Sequence, residues 1–503
     1  MRLPPLALGL VSLTLGGLGG CSSSSSSDNP SSDGGAHGTA DAALDARADG
    51  GGDAEIKPPT DTAAEEARQN CTYDVGSLAL ATQGASAPDG SKIPIDTIVI
   101  VMMENRSFDH YFQGLAAEGR TDVDVAPAGA SNLGVDGTPV PFARGTQLCF
   151  ADTNHSWDGT HQEINGGKMD GFAVANDGTH EDPMLGPPDF LSGARAMAYY
   201  TRDDLPLMYW AADNFAIGDR YFASVPGPTF PNREYLYAAT SFGETTTSLA
   251  YLPKHVTTTV LDSLDSKGVS WGAYTDDDPS FFLFTSDARF PTYSKKQGKI
   301  ADFTDAAAKG TLPHVVFIDP NLLEEGYDDN DEHPPAVMKV GQNWLAGIVQ
   351  SLIASPQWPH LAMFLLYDEH GGLYDHVPPP KACAPDSIAP ILSDDAGSPY
   401  GGFDEYGVRL PFVTFSPYAK RRYVSHKVFD HTSVLRFIEA RFELPALTKR
   451  DANALAPWDV FDFSAAPNLT PPAVPSVPVD ETTIQQCQTI FTAPDVVASP
   501  YAE

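Results

Sequence analysis

The chain has 503 residues, 42% of them hydrophobic, which is enough for one large α/β core with insertions. Asp and Glu number 66 against 31 Lys and Arg, a formal net charge of -35; this excludes the basic footprint that nucleic-acid binding needs and disfavours bare anionic lipid surfaces. None of the five cysteines lies in a C-x-x-C pair, which argues against a zinc ribbon or a thioredoxin-like site.

The first 21 residues, "MRLPPLALGLVSLTLGGLGGC", have the shape of a secretory signal, with Arg2 as basic start and an apolar stretch to Leu18. The closing "LGGC" resembles a bacterial lipobox, in which Cys21 is lipidated and becomes the mature N-terminus. An ordinary signal cleaved elsewhere is the alternative. The segment is too short and Gly-rich for a good spanning helix. The expectation is an exported protein, anchored to a cell-envelope membrane through Cys21 or secreted. Export would place Cys71, Cys149, Cys383 and Cys487 in an oxidising compartment where two disulfides can form; their pairing stays open. Residues 22–70, rich in Ser, Ala, Asp and Gly, read as a disordered tether, because they cannot bury enough apolar surface to offset their ordering entropy. Residues 71–463 read as the structured domain and 464–503 as a Pro-rich tail along the surface.

Within the domain, "TIVIVMM" (97–103) predicts a buried strand that delivers Glu104 and Asn105 at its tip. "DTNHSWDGTHQEINGGKMDGF" carries His155 and His161. In "SVPGPTFPNREYLYAATSFG" (224–243) the prolines make a rigid turn, and a helix is predicted to start near Pro231. Thr229 then lies just ahead of a helix N-terminus, where an anion is favoured, and Asn232 is a candidate to hold a phosphoryl oxygen. Read from this segment alone, Thr229 as a helix N-cap is the stronger reading. A helix follows, ending at Gly268, then strands at 269–274 and 314–319. "YDDNDEHPP" carries His333 ahead of a helix ending at Pro356, and lacks EF-hand spacing. "LAMFLLY" (361–367) predicts a second core strand, delivering Asp368 and Glu369 and then Gly371-Gly372. A strand at 411–416 and a helix from His431, capped by Asp430 or Thr432, complete the order. Strands alternating with helices predict a mainly parallel sheet covered on both faces, with its ligand site beyond the carboxyl ends of the strands.

If the two core strands are neighbours, Glu104, Asn105, Asp368 and Glu369 share one crevice. Three carboxylates there require a cation, and hard oxygen donors point to one divalent metal ion, calcium or another. Solvated loop acids are the plainer alternative. The Thr229 hydroxyl, bound to that ion, would ionise more easily and attack phosphorus. His155 and His333 are candidates for phosphate contacts or a general acid.

The stretches "ENRSFDHYF", "GPTFPNR", "YDEHGGLYDHVPPP" and "GVRLPFVTFSPYAK" occur in this order, and "HSW", "NGGKMDGF" and "FDHTSVLRFIE" accompany them. Together they resemble the bacterial phosphoesterase family of non-specific phospholipases C, their plant relatives and acid phosphatases, from about Ile93 to Leu444. The resemblance implies an alkaline-phosphatase-like α/β/α sandwich with a single metal site. Glu104, Asn105, Asp368 and Glu369 match its metal ligands, Thr229 its nucleophile, and His155 and His333 its phosphate histidines. His376, in "YDHV", matches a motif histidine taken here as substrate-binding. Gln113 before Gly114, and the stretch "LAAEGRTDVDVAPAG", depart from the family pattern and leave the leaving-group preference open. The expectation is a monomeric, metal-dependent phosphoric ester hydrolase of the phospholipase C type, acting on a phosphoester or phospholipid through a phosphothreonine. Acid phosphatase action and a non-catalytic calcium-binding surface lipoprotein are the alternatives.

Overall fold

The computed structural model describes residues 57–88, 90–177, 192–247, 258–284, 290–322, 326–392 and 400–492. The signal segment, Cys21 and the tether up to residue 56 lie outside the described residues. Eight strands form the central sheet: β1 (Thr97–Met103), β2 (Ala216–Gly218), β3 (Trp271–Tyr274), β4 (Gln297–Gly298), β5 (Val315–Ile318), β6 (Leu361–Tyr367), β7 (Val413–Phe415) and β8 (Tyr423–Ser425). Their order is β8-β2-β7-β6-β1-β5-β3-β4. All neighbouring pairs are parallel except those of β7, which runs against both β6 and β2. Helices flank the sheet, giving the three-layer α/β/α sandwich with a mainly parallel sheet that the alternation of elements predicts.

The central pair sets the geometry of everything that follows. Every residue of β1 and of β6 is buried, as an unbroken apolar run between two helical layers requires. Their register runs from Thr97 opposite Leu361 to Met103 opposite Tyr367, so both strands end at the same level. β5 flanks β1 on the other side, with Val101 opposite Ile318. Three parallel strands thus deliver their next residues, Glu104, Asp368 and Asp319, to one edge.

Six helices matter for the site: α1 (Phe108–Phe112), α2 (Trp157–Ile164), α3 (Thr229–Ala238), α4 (Val260–Ser266), α5 (Met338–Ile353) and α6 (His431–Phe442). Gly268, just beyond α4, sits at φ 67°, the left-handed conformation that glycine adopts without a Cβ penalty. Asp430 is the N-cap of α6, and Thr432 lies inside the helix.

Two boundaries differ from the sequence reading. The stretch taken as tether up to residue 70 contains a helix, Asp61–Gln69, whose N-cap Thr60 accepts a hydrogen bond from the Ala63 N–H and whose Ala64 is buried. Arg68 donates to the Thr82 carbonyl, and Cys71 is bonded to Cys383, which fixes the helix against the body. The stretch taken as an extended tail buries Val477 and carries a helix, Glu481–Thr492, in which Cys487 is bonded to Cys149. Composition does not register such long-range covalent ties.

Candidate active site

The edge beyond β1 and β6 is held by backbone hydrogen bonds. The Asp368 N–H donates to the Met103 carbonyl at 3.1 Å, the Asn105 N–H to Asp368 Oδ1 at 3.3 Å, and the Arg106 N–H to the Glu369 carbonyl at 3.2 Å. Asn105 sits at φ 61°, a left-handed conformation that asparagine tolerates better than most residues. Gly371 has φ 64°, and a Cβ there would lie 2.8 Å from the Asn105 carbonyl oxygen, so only glycine lets the β6 loop close on Asn105. In this arrangement both amide atoms of Asn105, Asp368 Oδ2 and Glu369 Oε1 are buried with no hydrogen-bond partner. Buried polar atoms are almost always paired. Four orphaned amide and carboxylate atoms converging on one edge, three of them oxygens, are the donor set a hard divalent cation takes, so the residues fit such an ion.

Arg233, which the sequence reading left without a role, enters this crevice from α3. Its Nη2 donates to Glu104 Oε1 at 3.1 Å and its Nη1 to Asp319 Oδ1 at 3.0 Å and Ser280 Oγ at 2.9 Å; its Nε lies 3.7 Å from Asp368 Oδ2. The acids therefore already share one internal cation, which the sequence reading did not supply. One guanidinium does not balance the group, however. Burial, with the Asp368 charge, pushes the Glu104 carboxyl up to about 8. Burial raises Asp368 to about 6 although Arg233 opposes it. Asp331, also buried, is held well above the usual range by burial and the Glu104 charge. Arg233 follows Thr229 by four positions, on the same face of the helix, and that spacing was the signal available for it.

Thr229 is the first residue of α3, so the helix starts two residues earlier than predicted. Its N-cap is Pro228, which has no capping side chain, and the reading of Thr229 as the N-cap is thereby overturned. The Thr229 side-chain hydroxyl instead neighbours the Asp368 carboxylate, near enough to oppose the rise in its pKa that burial causes. Pro231, third in the helix, has no N–H; the Thr229 and Phe230 N–H groups remain as the first donors of the helix dipole beside that hydroxyl.

Asn232 does not reach a phosphoryl oxygen. Its Oδ1 accepts the Val225 N–H at 3.1 Å, and its Nδ2 donates to the Gly227 and Pro228 carbonyls at 2.8 and 3.1 Å. The whole amide is spent on the turn that presents Thr229.

His155 and His333 come together, with ring centroids 5.5 Å apart. His155 Nδ1 donates to the Thr153 carbonyl at 2.7 Å and His333 Nδ1 to the Pro334 carbonyl at 2.6 Å. A carbonyl can only accept, so in the neutral rings Nε2 carries the lone pair. Asp152 Oδ1 lies 3.7 Å from His155 Nδ1 and 3.9 Å from His333 Nε2, and these three residues form a group that could hold a metal ion. The His333 N–H donates to Asp331 Oδ1 at 2.9 Å, and the Asp331 carbonyl accepts the Glu104 N–H at 3.0 Å, which ties the histidine loop to the crevice. The His155 charge pulls on both Glu104 and Glu369. His161 stacks on Tyr400, with centroids 4.4 Å apart, and burial lowers its pKa.

His376, taken as substrate-binding, belongs to a different network. Its Nδ1 faces Asp109 Oδ2 at 2.6 Å and its Nε2 faces Asp124 Oδ1 at 3.2 Å, beside the buried Arg409. Both ring nitrogens are committed to carboxylates, which corrects that assignment. Asp319, Asp331, Asp152 and His370 were also missed as members of the site region. Asp319 closes the predicted strand "HVVFID", so its place at a strand end was the legible sign.

A family model described as the phosphoesterase family matches residues 95–445. Non-specific phospholipase C1 of Arabidopsis thaliana is 32% identical over 405 residues, covering 76% of this chain and 74% of the relative. Phospholipase C B of Mycobacterium tuberculosis is 31% identical over 448 residues, covering 77% and 82%. Among solved structures, a protein in the alkaline phosphatase superfamily from Vibrio parahaemolyticus aligns with TM-score 0.33 and 10% identity, covering 85% of this chain and 95% of that one. The matched span takes in the crevice, the Thr229 turn and both histidine loops, and on the family match and these relatives the chain belongs to the phosphoesterase family and is a hydrolase of phosphoric esters.

Proposed function

We propose that the protein is a metal-dependent phosphodiesterase of the phospholipase C type that works through a phosphothreonine at Thr229. The observation that carries this reading is the Thr229 hydroxyl, at an uncapped helix N-terminus, beside an Asp368 whose Oδ2 is buried without a hydrogen-bond partner, as are both amide atoms of Asn105. Glu104, Asn105, Asp368, Glu369 and the Thr229 hydroxyl would hold the divalent ion, which when bound favours the ionised hydroxyl and offsets charge on the phosphoryl oxygens.

The residues of the chain then divide the work. Oγ stands beside Asp368 at the start of the helix, and the Thr229 and Phe230 N–H groups would face the anionic phosphoryl group. The Thr229 Oγ–P bond forms as the bond from phosphorus to the leaving alcohol oxygen breaks. A protonated His333 or His155 gives its Nε2 proton to that oxygen, its Nδ1–H being occupied by a carbonyl. Water then attacks phosphorus, releases the phosphorylated head group and restores the hydroxyl. The relatives that carry the name phospholipase C favour a diester over a monoester substrate. Family membership sets the non-catalytic alternative aside.

The test is direct. Rapid acid quench with a labelled phosphodiester, followed by peptide mapping, should place the label on the peptide holding Thr229; label on a histidine, or none during normal turnover, would refute the covalent step. We further read the chain as exported and lipid-anchored at Cys21. Two disulfides joining residues 312 and 338 positions apart support an oxidising compartment. Cys21→Ser should move the protein from the membrane to the soluble fraction at unchanged specific activity; retention after a high-salt wash would count against lipidation.

A further inference from the structure

Behind Glu369 runs a line of buried polar side chains that the proposed chemistry does not use. Glu369 Oε2 accepts the Gly371 N–H at 2.8 Å and faces His370 Nδ1 at 3.3 Å. The other nitrogen of the ring, Nε2, lies 2.7 Å from Glu163 Oε2 on α2. Glu163 Oε1 accepts the Asn176 Nδ2 at 2.7 Å, and Asn176 Oδ1 accepts the Asn154 N–H at 2.6 Å. Asn154 is the residue before His155. Glu163 and Asn176 are fully buried and His370 is 1% exposed.

The two ends of this line differ from its middle. Every link inside it is paired, while at the Glu369 end Oε1 is buried without a hydrogen-bond partner. A carboxylate with one oxygen tied by two donors has lost its freedom to rotate, so its second oxygen has one available direction. At the other end the line fixes the backbone that presents His155. Gly372 reinforces this: it sits at φ 68°, a Cβ there would lie 2.7 Å from the Asn154 carbonyl, and its own carbonyl accepts Asn176 Nδ2 at 3.2 Å. An apolar pair of similar volume would fill the same space with no charge to desolvate, so packing alone does not account for two acids and an imidazole here.

We infer that Glu163 and His370 are positioning residues, which aim the Glu369 carboxylate into the crevice and hold it in fixed relation to the His155 loop. This rests on the reading of Glu369 as an ion ligand. Residues that orient ligands in this way commonly change ion affinity by about 10- to 100-fold when replaced.

The experiment is calorimetric titration of chelator-treated, folded full-length protein with calcium and, separately, manganese. Glu163→Gln keeps the shape but not the charge, and His370→Asn keeps a donor toward Glu369 but not the link to Glu163. Each should weaken binding of the ion by about 10- to 100-fold and lower kcat with KM little changed. In a Glu369→Gln background, Glu163→Gln should have no further effect on affinity, because its route to the ion is gone. Affinities within twofold of wild type for both single variants, or a full Glu163→Gln effect in the Glu369→Gln background, overturn the inference. A wild type that binds neither ion overturns the metal reading itself, and this inference with it. Should the variants not fold, nitrogen-15 spectra of the wild type serve: the His370 ring resonances should move when the ion is added, and unmoved resonances at saturation overturn the inference equally.

Discussion

Two groups of buried acids follow the ends of β1 and β6, each built around a buried arginine, and the contrast between them shows what marks a site. Around Arg409 every valence is met. Its Nε donates to Asp375 Oδ1 at 2.8 Å, its Nη2 to Asp109 Oδ1 at 2.9 Å and Asp375 Oδ2 at 3.1 Å, and its Nη1 to the carbonyls of Asp124 and Asp219 at 3.0 and 2.9 Å. Asp109 Oδ2 takes the His376 N–H, and Asp375 takes the N–H groups of Asp109 and Val377. Around Arg233 the same kinds of groups leave Arg233 Nε, Asp368 Oδ2, Glu369 Oε1 and both Asn105 amide atoms without partners. Proximity alone would nominate Asp109, Asp375 and His376 for a metal ion. The arginine already stands where that ion would be, and its bonds are complete. Charge density is common to both groups; of the two, the crevice alone leaves hydrogen-bonding capacity unsatisfied.

The largest separation should come from removing one side chain on each side. Asp368→Ala deletes the carboxylate beside the Thr229 hydroxyl and a proposed ion ligand, and turnover should fall on the order of a thousandfold or more, with divalent-ion binding lost. His376→Ala removes a ring from the closed group, and turnover of a soluble phosphodiester should stay within about tenfold. Steady-state kinetics on the two variants check both. Comparable losses would dissolve the distinction.

Next in size is stability. Arg409→Gln leaves Asp109 and Asp375 buried without their counter-charge, and breaking a buried pair in this way costs about 3–5 kcal/mol. Denaturant unfolding should read that loss, while the folded fraction still binds the ion at the crevice. An unchanged midpoint would mean that the closed group is not structural.

The sequence already held much of this contrast. β1 and β6 were legible because each is an unbroken apolar run of strand length, and their pairing put Glu104, Asn105, Asp368 and Glu369 on one edge. Thr229 was singled out by its turn, although that segment alone favoured an N-cap, which the helix start at Thr229 overturns. Arg233 was not, because its value comes from contacts with Glu104, Asp319 and Asp368 delivered by three separate strands. Asn232 and His376 were misread for a related reason: an amide or imidazole near a site can as readily serve the backbone or a neighbouring carboxylate, and sequence does not give its direction. The helix Asp61–Gln69 escaped notice because its surroundings are of disordered composition, while its fixation comes from a disulfide to a residue 312 positions away.

A smaller effect distinguishes the two groups by pH. Burial and Asp368 hold Glu104 at about 8, so near neutral pH the ion-free crevice carries a proton that a ligated ion must displace. Ion binding at about pH 7 should therefore release on the order of one proton, and apparent affinity should rise roughly tenfold per pH unit up to about 8 and then level off. The sign follows from a raised acid: below its pKa the ligand is neutral, so affinity falls as pH falls. Calorimetry in buffers of different ionisation enthalpy counts the proton. Binding without proton release would place the ion away from Glu104.

The smallest effect tests how tightly the crevice aims the proposed nucleophile. Thr229→Ser keeps a hydroxyl at the first position of α3, so its place beside Asp368 and the flanking N–H groups survive. What goes is the γ-methyl. A β-branched side chain is stiff about χ1, whereas serine samples its rotamers more freely. The hydroxyl should then spend less time in line with phosphorus, and misalignment of a reacting atom lowers kcat more than KM. We expect a loss of about tenfold in kcat, within the range that loss of alignment produces, with ion affinity nearly unchanged because the other four donors are untouched. Acid-quench labelling of this variant should still find a phosphorylated residue at position 229, now more slowly formed. Equal rates for Thr and Ser would mean that the turn clamped by Asn232 already fixes the hydroxyl, leaving the methyl no part in its alignment. A loss as large as that of Asp368→Ala would mean instead that the methyl, packed against the turn, is what holds Oγ at the crevice.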